Sequence, residues 1–139
     1  MDASGDASRF LSDLTETFAR VYVSKAPGGN IIAWVHSVTG PSAVRLLLPH
    51  LPVESRAEVL RCAWQAAAAL YAAFGGAASG ASAPAAIPGR EGLVDRAVAT
   101  GDEHAIKFTE ACLREHALNP QPVYLEAAFH AVRSLGAGP

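Results

Sequence analysis

The stretch TGDEHAIKFTEACLREHAL, residues 100–118, carries the signals of a complete helix. Thr100 and Glu103 match a capping box at its start, and Asp102 offers a second N-cap. Helical spacing then places four side chains on one side of the predicted helix: His104, Phe108, Ala111 and Glu115. We therefore predict an amphipathic helix that ends near Leu118.

The same helical spacing continues towards the amino end of the chain. We predict a first helix over about 8–24 and a second after Asn30, whose side chain suits an N-cap. The Gly40-Pro41 step is expected to break this second helix, which resumes from Pro41 on a changed axis and stops at Pro49. The second helix is therefore predicted to be broken.

The third predicted helix is the longest and begins at a second capping-box pattern, formed by Ser55 and Glu58. It is followed by residues 75–89, GGAASGASAPAAIPG, whose Gly, Ala, Ser and Pro side chains are too small to build a core. We predict a flexible loop there. A short helix over about 91–99 precedes the quoted stretch, and Asn119-Pro120 caps a last helix that ends at Gly136.

These elements predict an all-α protein with a single bundle-like domain of about six helices over residues 8–135. A chain of 139 residues is long enough for one hydrophobic core. Its net charge of −2, with both signs interspersed, offers no basic stripe and argues against nucleic acid as a partner. The start MDASGDASRF lacks the basic and apolar regions of a signal peptide, so export is not indicated.

The most apolar window, CAWQAAAALYAAFGGAA at 62–78, is carried by Ala and Gly and falls short of a membrane span. Cys62 and Cys112 lack metal-type spacing and are expected to be reduced core residues of a cytoplasmic protein. Four aromatic residues at helical spacing are also predicted to lie in the core: Trp34, Trp64, Tyr71 and Phe74. A pocket edged by aromatic side chains and lined by alanines, suited to a flat ligand, is the alternative.

The quoted helix also carries His104 and Lys107 one turn apart, and two interpretations of this pair are open. In the first, Glu103 and Lys107 form an ordinary i,i+4 surface pair worth about 0.2–0.5 kcal/mol. In the second, the histidine and the lysine reach a common polar pocket as metal ligands or as an acid and a base. The chain has nine arginines and only two lysines, Lys25 and Lys107, and an amine can lose its proton where a guanidinium cannot.

His36 lies among apolar residues in IIAWVHSVTG, and a buried imidazole needs a polar partner. It is either a core histidine bonded to a backbone carbonyl or a ligand. His50 is expected to be solvated or a cap, whereas His116 and His130 fall on late helical positions that favour a charge–dipole contact. The sequence contains no P-loop, no GxGxxG after a strand, no GxSxG and no HExxH, so a nucleotide cofactor is unsupported.

Three segments together resemble the questin oxidase-like family: NIIAWVHSVTGPSAVRLLLPHL at 30–51, AWQAAAALYAAFG at 63–75 and DEHAIKFTEACL at 102–113. Their order matches, and the resemblance covers residues 8–135. It implies oxidation of an aromatic polyketide such as an anthraquinone, with dioxygen opening a ring. It further implies a non-haem iron oxygenase whose metal is held by several histidines and a lysine that can be carboxylated.

Carried over to this sequence, the resemblance makes His36, His104 and Lys107 metal ligands. A carboxylated Lys107 is an oxygen-donor anion that suits a hard cation. The resemblance also implies that the chain corresponds to the carboxyl-terminal portion of the family, so the other ligands are expected from a second polypeptide or from a homo-oligomer.

Two functions follow from these observations. One is a cytoplasmic Fe²⁺-dependent oxidoreductase, or a subunit of one, that acts on a small aromatic substrate and has no membrane partner. The alternative is a non-catalytic helical interaction or scaffold domain, or a partner subunit that has lost the metal site. The alternative predicts that His36, His104 and Lys107 are not close together.

Overall fold

The computed structural model describes residues 3–76 and 86–136. Its regular elements are six α-helices and two short 3-10 turns, at Ala26–Gly28 and Leu48–His50. The helices are α1 (Ala3–Lys25), α2 (Ile31–Leu47), α3 (Val53–Phe74), α4 (Arg90–Thr100), α5 (Glu103–Leu118) and α6 (Pro122–Ser134). No strand occurs within these described ranges, so the predicted all-α class is confirmed.

The core lies where α1, α2, α5 and α6 meet. Helix α1 packs on α2 and α6, while α5 packs on α6, α4 and α2. Their apolar faces supply four large aromatic side chains with almost no exposed surface: Tyr22, Trp34, Phe108 and Tyr124. Burial of such side chains, at roughly 25 cal/mol per Å², is the main favourable contribution to folding. Helix α3 packs chiefly on α2 and lies at the edge of the bundle.

The prediction that Gly40-Pro41 breaks the second helix is wrong, because α2 is a single α-helix that contains Pro41. Proline has no N–H, so the bond that residue 41 would donate to the carbonyl of Ser37 is missing, at a cost of about 3 kcal/mol. Tertiary packing offsets that cost. Pro41 is itself buried, and the next residue, Ser42, donates a hydrogen bond to Glu115 of α5.

The ends of α5 agree only in part with the predicted caps. The Asp102 side chain is the N-cap, since its Oδ1 accepts from the backbone N–H of His104 at 2.8 Å and of Ala105 at 3.0 Å. The Thr100–Glu103 capping box is wrong, because Thr100 is the last residue of α4 and its hydroxyl accepts from the Asp102 N–H. One carboxylate therefore holds the start of the helix that carries His104.

The other predicted helix ends shift by several residues. Helix α1 begins at Ala3 instead of residue 8, and α3 begins at Val53, which places Ser55 inside the helix and removes the second capping box. Asn30 does precede α2, but its backbone is left-handed (φ 53°) and its side chain makes no cap hydrogen bond. Helix α6 begins at Pro122, after Gln121. Of the predicted flexible loop, residues 77–85 lie outside the described residues.

Replacing Asp102 by Ala is expected to lower the free energy of unfolding by about 0.5–2 kcal/mol, because two backbone N–H groups of α5 lose their acceptor. Urea unfolding followed by circular dichroism measures the change. Asp95→Ala is the matched control, since Asp95 is exposed on α4 and its loss should cost no more than about 0.5 kcal/mol. Equal losses in the two variants would contradict the cap.

Several residues predicted for the core are exposed. Trp34 and Cys112 are buried as expected, but Cys62, Trp64, Tyr71 and Phe74 are exposed on α3. The reason is that α3 meets the rest of the bundle through small residues, and only Ala63 and Ala67 of this helix are buried. Helical spacing shows that residues share a face, but it does not show which face packs.

One described segment, Ile31–His50, is long and apolar enough to meet a length and hydropathy criterion for a membrane span, with a mean hydropathy of 1.3. This segment is α2 with the turn that follows it, and it supplies Trp34, Val35 and Val38 to the core. Of its apolar window, 39% is buried inside the bundle. The cytoplasmic location stays a prediction.

Candidate functional site

The structure brings two of the three predicted ligands together. His36 on α2 and His104 at the start of α5 lie 68 positions apart in the sequence, yet their ring centroids are 5.7 Å apart. The rings meet edge to face, with an interplanar angle of 81°. His36 is exposed and the His104 side chain is 28% exposed, so the pair is open to solvent. His36 is therefore not a buried core histidine, which was one of the two interpretations of its sequence position.

Asp102 is the nearest acidic group to this pair. Its Oδ1 lies 3.6 Å from His104 Nδ1, which is within ion-pair range but longer than a hydrogen bond. The same oxygen already caps α5. The carboxylate therefore lies beside the His104 ring without a hydrogen bond to it.

Lys107 lies on the same helix, one turn after His104, but its amine is in a surface ion pair. Lys107 Nζ donates to Glu103 Oε2 at 2.6 Å, and about two-thirds of the lysine side chain is exposed (67%). The hydrogen bond from Lys107 holds the pKa of the Glu103 carboxyl below its ordinary value. This is the geometry of the ordinary i,i+4 pair, so a metal role for Lys107 requires it to leave Glu103.

Within residues 3–76 and 86–136, no group of three or more His, Cys, Asp or Glu side chains has the geometry of a metal site. The described part of the chain therefore offers two neighbouring imidazoles, with Asp102 beside one of them. Such a pair supplies half of a four-ligand site. The ligand assignment of His36, His104 and Lys107 stays a prediction.

The position of the two histidines follows from an ion pair that joins α2 and α5 further along their length. Glu115, eleven residues after His104, has no exposed surface. Arg45, nine residues after His36, donates to it from Nη2 at 2.8 Å and from Nε at 3.1 and 3.2 Å. A rise of 1.5 Å per residue puts this ion pair roughly 14–16 Å from the histidines along both helices. The two helices thus run side by side from the histidine pair to the ion pair.

Further polar groups surround Glu115, and sequence analysis did not identify this cluster. The Ser42 hydroxyl donates to Glu115 Oε1 at 2.7 Å, and the Thr15 hydroxyl of α1 lies 3.3 Å from Oε2. Tyr124 of α6 completes the cluster, with its hydroxyl 2.9 Å from that of Thr15. Side chains of α1 and α2 therefore hydrogen-bond to one buried carboxylate, as a buried charge requires, and Tyr124 of α6 supports the Thr15 hydroxyl.

An apolar groove lies beside this cluster, where the start of α1, the end of α2 and the first half of α3 meet. Its volume is about 1070 Å³. The side chains that line it include Phe10, Leu48, Val53, Leu60, Trp64 and Leu118, and Arg45, Arg56 and Arg61 also contribute. Of the four aromatic residues considered for the predicted aromatic-edged pocket, Trp64 lines this groove. The pocket for a flat ligand stays a prediction.

The other histidines have separate surroundings. His50 is exposed in the turn after α2, as expected. His130 is half-buried, and its Nδ1 lies 3.0 Å from the Tyr22 hydroxyl. Burial lowers the pKa of His130, which disfavours the charged form that a contact with the helix dipole would use.

Comparisons of the chain with protein-family models, with curated proteins and with solved structures found no match. The resemblance to the questin oxidase-like family stays a prediction.

Proposed function

We propose that this chain contributes His36 and His104 to the Fe²⁺ site of an oxidoreductase, with the remaining ligands supplied by a second polypeptide or another copy of the chain. The observation that carries the proposal is the contact between the two imidazole rings at an open surface. The aromatic polyketide substrate and the reaction with dioxygen rest on the resemblance alone. Lys107 is the third proposed ligand, because it follows His104 by one turn.

The spacing of the two rings fits ligation of one ion. A metal-bound imidazole nitrogen lies about 2.0–2.1 Å from its ion, so each ring centroid lies roughly 3 Å away and two rings on one ion are separated by at most roughly 6 Å. The observed separation of 5.7 Å falls within that limit. Imidazole is a suitable ligand for iron, zinc, copper and nickel.

Each group of this chain would have a distinct task. His36 and His104 would hold the metal, and the Asp102 carboxylate would add negative charge beside the His104 ring. Lys107, after release from Glu103 and reaction with carbon dioxide, would add an anionic oxygen donor. The bound iron would supply dioxygen activation. Because the pair is solvent-exposed, exclusion of water would have to come from whatever covers this surface.

Anaerobic calorimetry with Fe²⁺, and with Co²⁺ as a stable substitute, tests the proposal. His36→Ala and His104→Ala are each expected to weaken metal binding by roughly tenfold or more, because each removes one of the two ligands that the chain brings together. His50→Ala is the matched control and should leave the affinity unchanged. Lys107→Arg keeps the charge but prevents carboxylation, so it should weaken binding only if the lysine is a ligand.

Equal affinity of the wild-type chain and the doubly substituted His36→Ala, His104→Ala chain would contradict the proposal. A gain in affinity when a second polypeptide is added, lost in the same double variant, would show that the site is shared.

A second candidate function, a helical interaction domain, is supported by a different observation. Large apolar side chains are exposed along α3 and around the groove, among them Val53 (70% exposed) and Trp64 (51%). Contiguous apolar surface of this kind marks interaction sites in soluble proteins. The two functions are compatible, since a subunit of a shared metal site must also bind its partner.

A further inference from the structure

Helix α3 carries an apolar stripe that the other described residues leave largely exposed. Its members follow each other at intervals of three or four residues: Val53, Ala57, Leu60, Trp64, Ala68, Tyr71 and Phe74. Val53, Trp64, Tyr71 and Phe74 are each between 43% and 70% exposed. This spacing is that of a helix face that packs on another helix. The stripe is distinct from the residues of the proposed metal site.

The two halves of the stripe differ in shape. In the first half, Val53, Ala57 and Leu60 form one wall of the apolar groove, whose opposite side includes Phe10 and Leu118. In the second half, the exposed rings of Tyr71 and Phe74 extend beyond that groove. One helix therefore presents both a concave apolar surface and two protruding aromatic side chains.

The stripe is complementary to an antiparallel copy of itself centred on Trp64, because large side chains of one copy then face smaller side chains of the other. An antiparallel copy then places Tyr71 opposite Ala57 and Ala68 opposite Leu60, and the two Trp64 rings meet at the two-fold axis. Phe74 falls opposite position 54, next to Val53. Apart from the facing tryptophans, each large side chain meets a smaller one. An isologous interface requires such self-complementarity.

We propose that α3 is the dimer interface of this protein, with a second copy of α3 packed antiparallel to it and with Tyr71 and Phe74 of each copy inserted in the groove of the other. The area is sufficient. Side chains of this size have total areas of about 150–250 Å². The exposed surface of the stripe, together with that of Phe10 and Leu118, then amounts to roughly 600 Å² per copy. Two copies would bury roughly 1,200 Å², the lower limit for specific interfaces.

The charges of α3 favour the antiparallel arrangement. All four charged residues of the helix lie in its first nine positions: Glu54, Arg56, Glu58 and Arg61. The second half has none, so it brings no charge of its own into the groove, whose wall already includes Arg45, Arg56 and Arg61. Arg56 donates from Nε to the Leu51 carbonyl, and its terminal nitrogens make no hydrogen bond to any described residue, which leaves its guanidinium able to stack on Tyr71 of the second copy. A parallel pair would instead bring Arg56 and Arg61 of the two copies together.

Analytical ultracentrifugation over a concentration series gives the first test. The wild-type chain is expected to reach twice its mass of 14.4 kDa, and Trp64→Glu should weaken the dimer by roughly thirtyfold or more, as for a residue at the centre of an interface. Val98→Glu is the control, because Val98 is 63% exposed on α4, away from the stripe. Unfolding curves of both variants show whether either substitution alters the fold itself.

Cysteine cross-linking tests the register in a Cys62→Ser background. Ala57→Cys and Tyr71→Cys chains should form disulfide dimers when mixed and not when oxidised separately, because position 57 faces position 71 only in the antiparallel pair. Self-linking of either single variant would overturn this arrangement.

A wild-type chain that stays monomeric at every concentration would overturn the proposal, as would a monomer whose groove takes up an apolar small molecule. Equal dissociation by Trp64→Glu and Val98→Glu would also contradict it.

Discussion

Arg45→Met is expected to lower the free energy of unfolding by about 3–5 kcal/mol. The Glu115 carboxylate has no exposed surface, and the Arg45 guanidinium, whose side chain is 11% exposed, donates three of the hydrogen bonds that it accepts. Methionine fills a similar volume but leaves the carboxylate buried without its principal cation. Arg114 Nη1 lies 3.6 Å from Glu115 Oε1 and compensates the charge only in part, so the cost is that of a buried carboxylate without its hydrogen-bonded cation, which far exceeds the value of a surface ion pair.

Urea unfolding followed by circular dichroism measures this loss. Arg20→Met is the matched control, since Arg20 pairs with Glu16 at 2.7 Å in an exposed i,i+4 pair and its loss should cost less than about 1 kcal/mol. Combining Arg45→Met with Glu115→Leu should recover much of the stability, because both charges are then removed together. A cost for Arg45→Met as small as that for Arg20→Met would show that the buried pair does not fasten α2 to α5.

Phe108→Ala is expected to cost about 3–5 kcal/mol through the cavity that it leaves. The Phe108 ring has no exposed surface and lies 4.5 Å, centroid to centroid, from the ring of Tyr22 on α1. Its loss removes both the buried apolar area and this aromatic contact. The wall of the new cavity includes an aromatic ring, which cannot collapse fully onto the space.

The same unfolding experiment on Ile106→Ala supplies the control. Ile106 lies on the same helix but is 40% exposed, so its truncation should cost no more than about 1 kcal/mol. Similar losses for the two variants would mean that α5 is not packed on α1 through the face that carries Phe108.

Much of the fold follows from local patterns in the sequence. The spacing of apolar residues predicts each of the six helices, and Asp102 is recognisable as the cap of α5 because it stands directly before the helix. The continuity of α2 was not predictable in this way. The local cost of Pro41 is offset by burial and by the bond from Ser42 to Glu115, a residue 73 positions later in the chain.

The same distinction applies to the candidate site. The sequence places His104 and Lys107 one turn apart and allows the Glu103–Lys107 pair that the structure contains, but only the packing of α2 on α5 shows that His36 adjoins His104. Glu115 is on the predicted face of α5, yet nothing near it in the sequence identifies Arg45 as its partner. Trp64, Tyr71 and Phe74 have core-like spacing, and their exposure follows from α3 lying at the edge of the bundle.

The most direct test of the central claim, that α2 and α5 bring His36 and His104 to one metal-binding point, is the histidine ring spectrum of the ¹⁵N-labelled chain during a Co²⁺ titration. A paramagnetic ion broadens the signals of the rings nearest to it. The account predicts that the His36 and His104 signals broaden together at the lowest metal concentrations, before those of His50, His116 and His130. Broadening of His50 first, or of all five histidines at the same concentration, would contradict it.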